Sequence, residues 1–595
     1  MKELEYPFDA RYLIKKKKSL KRQLLAQDTK YIDKKLAVLG GSTTHDIAAM
    51  LELFLLNFGI RCEIYESEYN QYWEDVMFDN PELVSFAPDV IYIHTTNRNI
   101  TFPRIGMTEE EVNTLRDNDF NKFRAMWEKI ESTYHCPVIQ NNLEFPSYRI
   151  LGNSDCVNTS GRVGYINALN AKFSEYAREH KNLYIEDIQY LSAQYGLDAW
   201  ADPLYWHMYK YALSMEAIPT LSYSVSCIIK SIYGKNKKAL TLDLDNTLWG
   251  GIVGDDGPEN LAIGQETSMG QVYSEFQQYI KDHKDIGVIL TVDSKNDHEN
   301  AIAGLNHPDS TLTPDDFVVI KANWDPKSKN LADTAAELNL LPESFVFVDD
   351  NPAEREIIRA QIAGAAVPEM GNVEDYIRAI DHAGYFEVTN LSADDKARND
   401  MYKANVQRAA LEASFADYGQ YLDSLEMTGV IKPFEPVFLD RIAQLTNKSN
   451  QFNLTTKRYS RADIEEVSSS DEYIDIYGKL IDKFGDNGVV SVVIGHINGD
   501  VLDMDLWIMS CRVLKRDMEF AMMDGLVERA KKAGLKKIIG YYYPTAKNNM
   551  VRDFYDRMGF TKTSEDAEGN TVWEFDLTGE YVNKNNHINV NPKGE

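Results

Sequence analysis

Three short apolar runs in the middle of the chain each stop on acidic or amide side chains: LTLDLDNT at 240–247, VILTVDSKND at 288–297 and SFVFVDDNPAER at 344–355. Runs of this length, alternating with helix-like stretches such as Leu331–Leu340, predict β-strands joined by crossover helices and so a mostly parallel sheet. Such sheets hold their ligands at the carboxyl ends of the strands, which is where the three polar endings converge. Asp243 and Asp245 are two residues apart and share a face of an extended strand. Adjacent carboxylates repel and call for a shared proton or a cation. A hard, oxygen-liganded ion such as Mg²⁺ meets that need and draws in a phosphate.

Phosphoryl transfer needs a nucleophile, charge neutralisation and a positioned acid/base. Asp243 can attack phosphorus, and Asp245 can protonate the leaving oxygen and then activate water. Ser294 can hydrogen-bond a phosphoryl oxygen, and a lysine, Lys327 or Lys329, can neutralise it. Asp349 and Asp350 can complete a metal site. Taken alone, a DxDxT string is equally a strand end feeding a capped turn. DLDNT, SKN, NWDPK and VFVDDNPAER together, in this order, resemble the four motifs of the haloacid-dehalogenase (HAD) phosphotransferases. The longer text LDLDNTLWGGIVGDDG resembles the FkbH-like branch, the glyceryl-transferase/phosphatases of polyketide loading. The resemblance implies Asp243 as nucleophile and Mg²⁺ ligand, Asp245 as acid/base with its carbonyl on the metal, Ser294 and Lys327 on the phosphoryl group, and Asp350 as a ligand assisted by Asp349. Thr247, Asn296 and Arg512 are candidate substrate contacts. Trp249 and the glycines after it are read as shaping a turn.

With 595 residues the chain has room for about three or four domains. Its net charge of −29, from 63 Lys+Arg against 92 Asp+Glu, argues against nucleic-acid binding. The Lys15–Lys18 run reads as a solvated helix face. Five cysteines, Cys62, Cys136, Cys156, Cys227 and Cys511, lack metal-like spacing and fit reduced thiols. The first twenty residues lack the apolar core of a signal peptide, and no run of about 18 apolar residues occurs. A cytoplasmic protein without membrane insertion is expected.

The expected fold class is α/β in several domains: a helical extension over 1–30, a three-layer SGNH/flavodoxin-like domain over 31–235, a HAD-like Rossmannoid domain over 236–385, a GNAT-like α+β domain over 386–580, and a frayed polar tail over 581–595. The KNKK cluster at 235–238 reads as a linker. In the first domain KLAVLGGSTT, CEIYES and PDVIYIHTTN read as strands and Ile47–Phe58 as a helix. GGST, TTNRN and DPLYWH distantly resemble SGNH-hydrolase blocks, which makes Ser42, Asn97, Asp202 and His207 candidates for esterase chemistry. Leu204 stands where such enzymes carry the Asp that orients the histidine, and Ser42 equally suits a helix cap.

In the third domain VVSVVIGHINGDVLDMDLWIMS reads as a hairpin turning at Ile497–Asp500. A helix over about 516–533, a strand KKIIGYYYP and a helix in MVRDFYDRMGF follow, an order that describes a GNAT-type acyltransferase. WIMSCRVLKRDMEFA, YYYPTAKNNMVRDFYDRMGF and TNKSNQFNLTTKRY resemble FkbH-like proteins. The Q/R-x-x-G-x-G/A pyrophosphate loop is missing at Arg512–Arg516, which leaves coenzyme A binding open. Cys511 stands beside Arg512, Lys515, Arg516 and an expected helix start, surroundings that favour a thiolate. It reads either as an acyl-accepting nucleophile, with His496 as its base, or as a buried structural cysteine.

The expected enzyme is a Mg²⁺-dependent HAD phosphatase coupled to an acyltransferase. It takes a phosphorylated small molecule such as 1,3-bisphosphoglycerate and passes a glyceryl thioester to an acyl carrier protein. Acyl transfer in surface-polysaccharide synthesis and a non-catalytic scaffold are the alternatives.

Overall fold

The computed structural model describes residues 1–592 except 28, 450 and 546. Positions 450 and 546 inside the motifs quoted above, and 593–595 of the tail, lie outside the described residues. The described residues fall into two compact units, Met1–Ile232 with Ser460–Asp463, and Tyr233–Tyr459 with Ile464 onward.

The first unit is built on five parallel strands, β1 (Ile32–Gly40), β2 (Ile60–Glu66), β3 (Val90–His94), β4 (Val138–Asn141) and β5 (Leu183–Glu186), in the order β2-β1-β3-β4-β5. The order reverses between β1 and β3. A helix, His45–Asn57, follows β1. The expected helical extension is part of this unit. The helix Ala10–Leu25, capped by Asp9, buries Leu13, Leu20 and Leu24 along one stripe. Two of its lysines, Lys17 and Lys21, are paired with Asp46 and Glu52 and are not simply solvated.

The second unit contains two sheets. Four parallel strands, β6 (Ala239–Leu242), β7 (Ile289–Ser294), β8 (Val319–Ala322) and β9 (Phe345–Val348), run in the order β8-β7-β6-β9. β6 and β9 pair in register from Ala239↔Phe345 to Leu242↔Val348, and both strands are fully buried. The order reverses between them. The helix predicted over Leu331–Leu340 spans Lys327–Glu337, one turn earlier, so Lys327 opens it.

A long helix, Arg398–Glu412, ties this sheet to the next. Its Asn399, almost fully buried, donates to the Val288 carbonyl at 2.8 Å and accepts from the Leu290 amide at 3.4 Å. Its Arg408 reaches Asp482 at 2.6 Å. The expected boundary at 385/386 therefore separates two sheets within one compact unit.

The last sheet has nine strands among the described residues: β10 (Thr428–Lys432), β11 (Phe452–Asn453), β12 (Tyr473–Asp482), β13 (Gly485–Asn498), β14 (Val501–Met509), β15 (Lys537–Tyr542), β16 (Thr561–Glu565), β17 (Thr571–Asp576) and β18 (Asn589–Val590). β12, β13 and β14 form an antiparallel meander, and the helix Met518–Lys532 carries the chain to β15, which runs parallel to β14. This is the α+β layout expected of the region.

β14 and β15 pair only from Val501–Asp503 and then part. β11 enters the opening. Asn453 pairs with Ile508, the Leu454 amide donates to the Trp507 carbonyl at 3.2 Å, and the Leu454 carbonyl accepts from the Tyr543 amide at 2.9 Å.

Three local expectations change. The hairpin turns on Gly499 and Asp500, one residue later than the Asn-Gly signal, because Asn498 still pairs with Val501 and Gly499 takes the positive φ. The helix expected in 550–560 shrinks to Phe554–Arg557 after a 3₁₀ turn. The tail is not frayed over its described part: Asn589 and Val590 add in parallel to β10, and the Ile431 amide donates to Asn591 Oδ1 at 3.0 Å.

Candidate active site

β6 ends at Leu242, but the Asp243 amide still donates to the Val348 carbonyl at 3.0 Å, so the sheet register carries Asp243 to the carboxyl edge. Asp349 and Asp350 leave the end of the neighbouring β9. Carboxylate oxygens of Asp243, Asp349 and Asp350 all lie within 4.8 Å of one another. The two aspartates after β9 are held by three supports. Arg355, buried, donates to the carbonyls of Asp349 and Asp350 at 2.8 Å each. The Asp350 amide donates to Thr247 Oγ1 at 3.2 Å, and the Asn351 amide to Asp349 Oδ1 at 2.9 Å.

Of the two candidate lysines, the geometry selects Lys327. Its Nζ lies 2.6 Å from Asp349 Oδ2 and 3.0 Å from Asp243 Oδ1. Burial works against its charge, but Asp243 and Asp349 outweigh burial and hold its pKa above the usual lysine range. Lys329 points away and pairs with exposed Asp325 and Asp333. Burial, then repulsion from Asp243, raises Asp349 to about 6. Burial and Asp243 also raise Asp350.

Three carboxylates facing one lysine, with no sulfur or imidazole among them, make a donor set suited to a hard divalent cation. Asp245 does not add its side chain to that set, although its carbonyl was expected on the metal. Its Oδ1 accepts from Trp249 Nε1 at 2.9 Å and the Val253 amide at 3.1 Å, and its Oδ2 accepts from Asn296 Nδ2 at 2.9 Å. Burial raises its pKa.

Ser294 ends β7, almost fully buried. Thr247 and Asn296, expected to touch substrate, face the protein. Thr247 is fully buried with its hydroxyl committed to Asp350, and Asn296 holds Asp245.

Four participants escaped the sequence reading. Trp249, taken as a turn residue, clamps Asp245, and Arg355 braces the β9 end. Asp293, inside an apolar strand, accepts from Asn330 Nδ2 at 3.0 Å, while its buried Oδ2 has no partner. Burial pushes its pKa up to about 8. An acid directly after VILTV, still inside the buried strand, is its visible signal. Tyr402 stands beside Cys511, as follows.

Cys511 is partly exposed after β14, and the Tyr402 hydroxyl lies 3.6 Å from its Sγ. The expected surroundings are different. The helix begins at Met518, not next to the thiol. Arg512 turns its Nε to Ser510 Oγ at 3.2 Å, and Arg516 is taken up by Asp482 at 3.1 Å. Lys238, Arg398 and Arg441 also interact electrostatically with Cys511. His496 is not its base. Val490 pairs with Ser510, and His496 lies six residues further along β13, about 20 Å away at the strand rise.

In the first unit Ser42 follows β1, buried, with its hydroxyl unpartnered. Asn97 donates to the Glu144 and Phe145 carbonyls. Asp202 caps the helix Pro203–Tyr209 through the Leu204 and Tyr205 amides, and His207 is exposed on that helix. Among the described residues no hydrogen bond joins Ser42, Asp202 and His207, so the structure forms no triad here.

Residues 35–230 match the family model described as FkbH, N-terminal domain. The N-terminal part of protein BF1531 from Bacteroides fragilis, a crystal structure containing a phosphatase domain complexed with Mg, is 30% identical to this chain. It covers 63% of this chain and 99% of its own, with a TM-score of 0.58. The ribosomal-protein-S18-alanine N-acetyltransferase from Escherichia coli covers 26% of this chain and 98% of its own at 12% identity, but its TM-score of 0.21 is too low to bear on function. No curated protein matches the chain. Among the described residues no helix is long and apolar enough to cross a membrane.

Proposed function

The chain belongs to the FkbH-like family and is an enzyme of the HAD phosphatase type, and we propose that it releases phosphate from a phosphorylated acyl substrate and transfers the acyl group. The meeting of Asp243, Asp349, Asp350 and Lys327 at the ends of β6 and β9 carries this reading.

Asp243 attacks phosphorus, forming an O–P bond as the ester P–O bond breaks. Asp245, protonated more readily because it is buried, gives its proton to the leaving oxygen. It then takes a proton from the water that cleaves the aspartyl-phosphate, which frees inorganic phosphate. Trp249, Asn296 and the Val253 amide fix its carboxyl for both transfers. Lys327 and Ser294 hold the phosphoryl oxygens. Asp243, Asp349 and Asp350, with the Asp245 carbonyl, would hold Mg²⁺, which supplies charge neutralisation at phosphorus when bound.

The acyl half falls to Cys511. Its thiolate attacks the carbonyl carbon of an acyl-phosphate such as 1,3-bisphosphoglycerate. The S–C bond forms as the C1–O bond to phosphate breaks, which gives a 3-phosphoglyceryl thioester; its phosphate ester is hydrolysed through Asp243, and the glyceryl group then passes to a carrier-protein thiol as that sulfur replaces the Cys511 sulfur on the carbonyl carbon. The exposed edge of Cys511 and the hydroxyl of Tyr402 beside it support this reading.

Mass spectrometry of the protein after incubation with the acyl-phosphate tests it. A glyceryl adduct on wild type that is lost in Cys511→Ala is expected, with phosphate release retained in that variant. An unmodified wild-type protein refutes the acyl half.

A further inference from the structure

The phosphoryl-transfer chemistry leaves unused a group of partly buried cations around Cys511. They come from four segments of the second unit: Lys238 just before β6, Arg398 opening the helix Arg398–Glu412, Arg441 and Lys448 on the helix Leu439–Lys448, and Arg512 after β14. Burial comes first in lowering the pKa of Lys238, Arg398, Arg441 and Lys448, and repulsion from neighbouring cations adds to it. Lys448 is pushed well down by burial, then by Arg398, Arg441, Lys238 and Arg512. Arg441 falls to about 9 and Arg398 to about 10 by burial, then by Arg512.

Two aspartates answer them. Asp394 Oδ2 lies 2.9 Å from Arg441 Nε and 3.8 Å from Arg512 Nη2. Asp395 pairs with Arg398 and, at 3.2 Å, with Lys448 Nζ. Glu343 acts on Lys238 from further off and is itself paired with Lys547 at 2.5 Å. Five cations thus face two close carboxylates in a chain whose net charge is −29. Arg512 is 6% exposed, and its Nη2 is buried without a hydrogen bond.

Positive charge drawn away from water without an equal counter-charge is unfavourable, so an excess of this kind is stable when an anion completes it. Guanidinium forks match phosphoryl oxygens two at a time. Lys448, with 31% of its side chain exposed, leaves the group open to solvent on one side.

We propose that Lys238, Arg398, Arg441, Lys448 and Arg512 form a second phosphoryl-binding site beside Cys511, separate from the carboxylate site at Asp243. Its ligand is a phosphate ester, either of a small acid or of a phosphopantetheine arm. The site holds that anion with the rest of the ligand at the thiol. Binding there does not depend on the acyl-transfer reading, only the use made of it does.

The full-length protein carrying Asp243→Asn, in EDTA, isolates this site from the carboxylate one. 3-Phosphoglycerate and 4′-phosphopantetheine are titrated calorimetrically, and Cys511 alkylation by iodoacetamide is followed by mass spectrometry. At least one probe binds and slows alkylation. Arg441→Gln and Lys448→Gln each weaken that probe roughly tenfold or more, the worth of a charge-assisted hydrogen bond. Protection by phosphoglycerate alone identifies a small acid, and protection by phosphopantetheine alone identifies the arm. Absence of binding and protection with both probes overturns the proposal, as does unchanged affinity in Lys448→Gln, whose partly exposed side chain leaves the fold intact if Arg441→Gln does not fold.

Discussion

At the point where strand order reverses, the five-stranded sheet presents Ser42 and Asn97, and the four-stranded sheet presents Asp243 and Asp349. Both positions are where open parallel sheets hold ligands. In the first sheet the polar groups are spent on structure or stand alone: Asn97 on carbonyls, Asp202 on a helix cap, Ser42 on nothing. In the second, three carboxylates remain under-neutralised around one lysine. A reactive edge is thus distinguished by charge that the fold leaves unbalanced, and polar strand ends alone do not mark it.

Substitutions at matched positions sharpen the contrast. Asp243→Asn abolishes phosphate release from a phosphate ester, by at least roughly 10³-fold in kcat, as loss of a nucleophile does. Ser42→Ala leaves it unchanged. A phosphate-release assay with both variants breaks the comparison if the second loses activity or the first keeps it. Chelation removes activity, and Mg²⁺ restores it. Asp350→Asn raises the Mg²⁺ needed for half-restoration about 10- to 100-fold, the range for a disturbed metal site, read from the metal titration.

Lys327→Met strips the buried carboxylates of their cation. It destabilises the metal-free protein by about 3–5 kcal/mol, measured by denaturant unfolding. Lys329→Met, at an exposed pair, leaves the unfolding midpoint where it was.

A smaller effect concerns pH. Asp293 keeps its proton up to about 8 when folded and loses it near the ordinary carboxylate value when unfolded. Its contribution to stability is therefore full at acid pH and is lost as pH rises through 8. The melting temperature of the metal-free protein falls between about pH 4 and pH 8, and Asp293→Asn flattens that fall. Equal slopes in calorimetric scans of the two proteins contradict the assignment.

The candidate catalytic strand ends are legible because each motif lies within a few residues and the strands that bear them are short apolar runs. The supports were not. Trp249 meets Asp245 only because the loop folds back, and Thr247 was read as facing substrate because burial is invisible in the string. Around Cys511 the adjacent Arg512 and Arg516 drew attention, yet the sheet turns them to Ser510 and Asp482. Lys238, Arg398 and Arg441 reach the thiol from up to 273 positions earlier, a convergence set by tertiary packing alone.

The short strand β11 lies in the gap where β14 and β15 part, bonded to Trp507 on one side and Tyr543 on the other. A gap of this kind offers free backbone donors and acceptors to any extended chain that adds as a strand. Here those groups are already spoken for by the protein itself. An extended chain entering the gap trades existing hydrogen bonds for equivalent ones and gains almost no free energy by the exchange. Any such ligand therefore draws its affinity from elsewhere on the surface, and the exchange rates of the Leu454 and Tyr543 amide protons report how often the gap stands open.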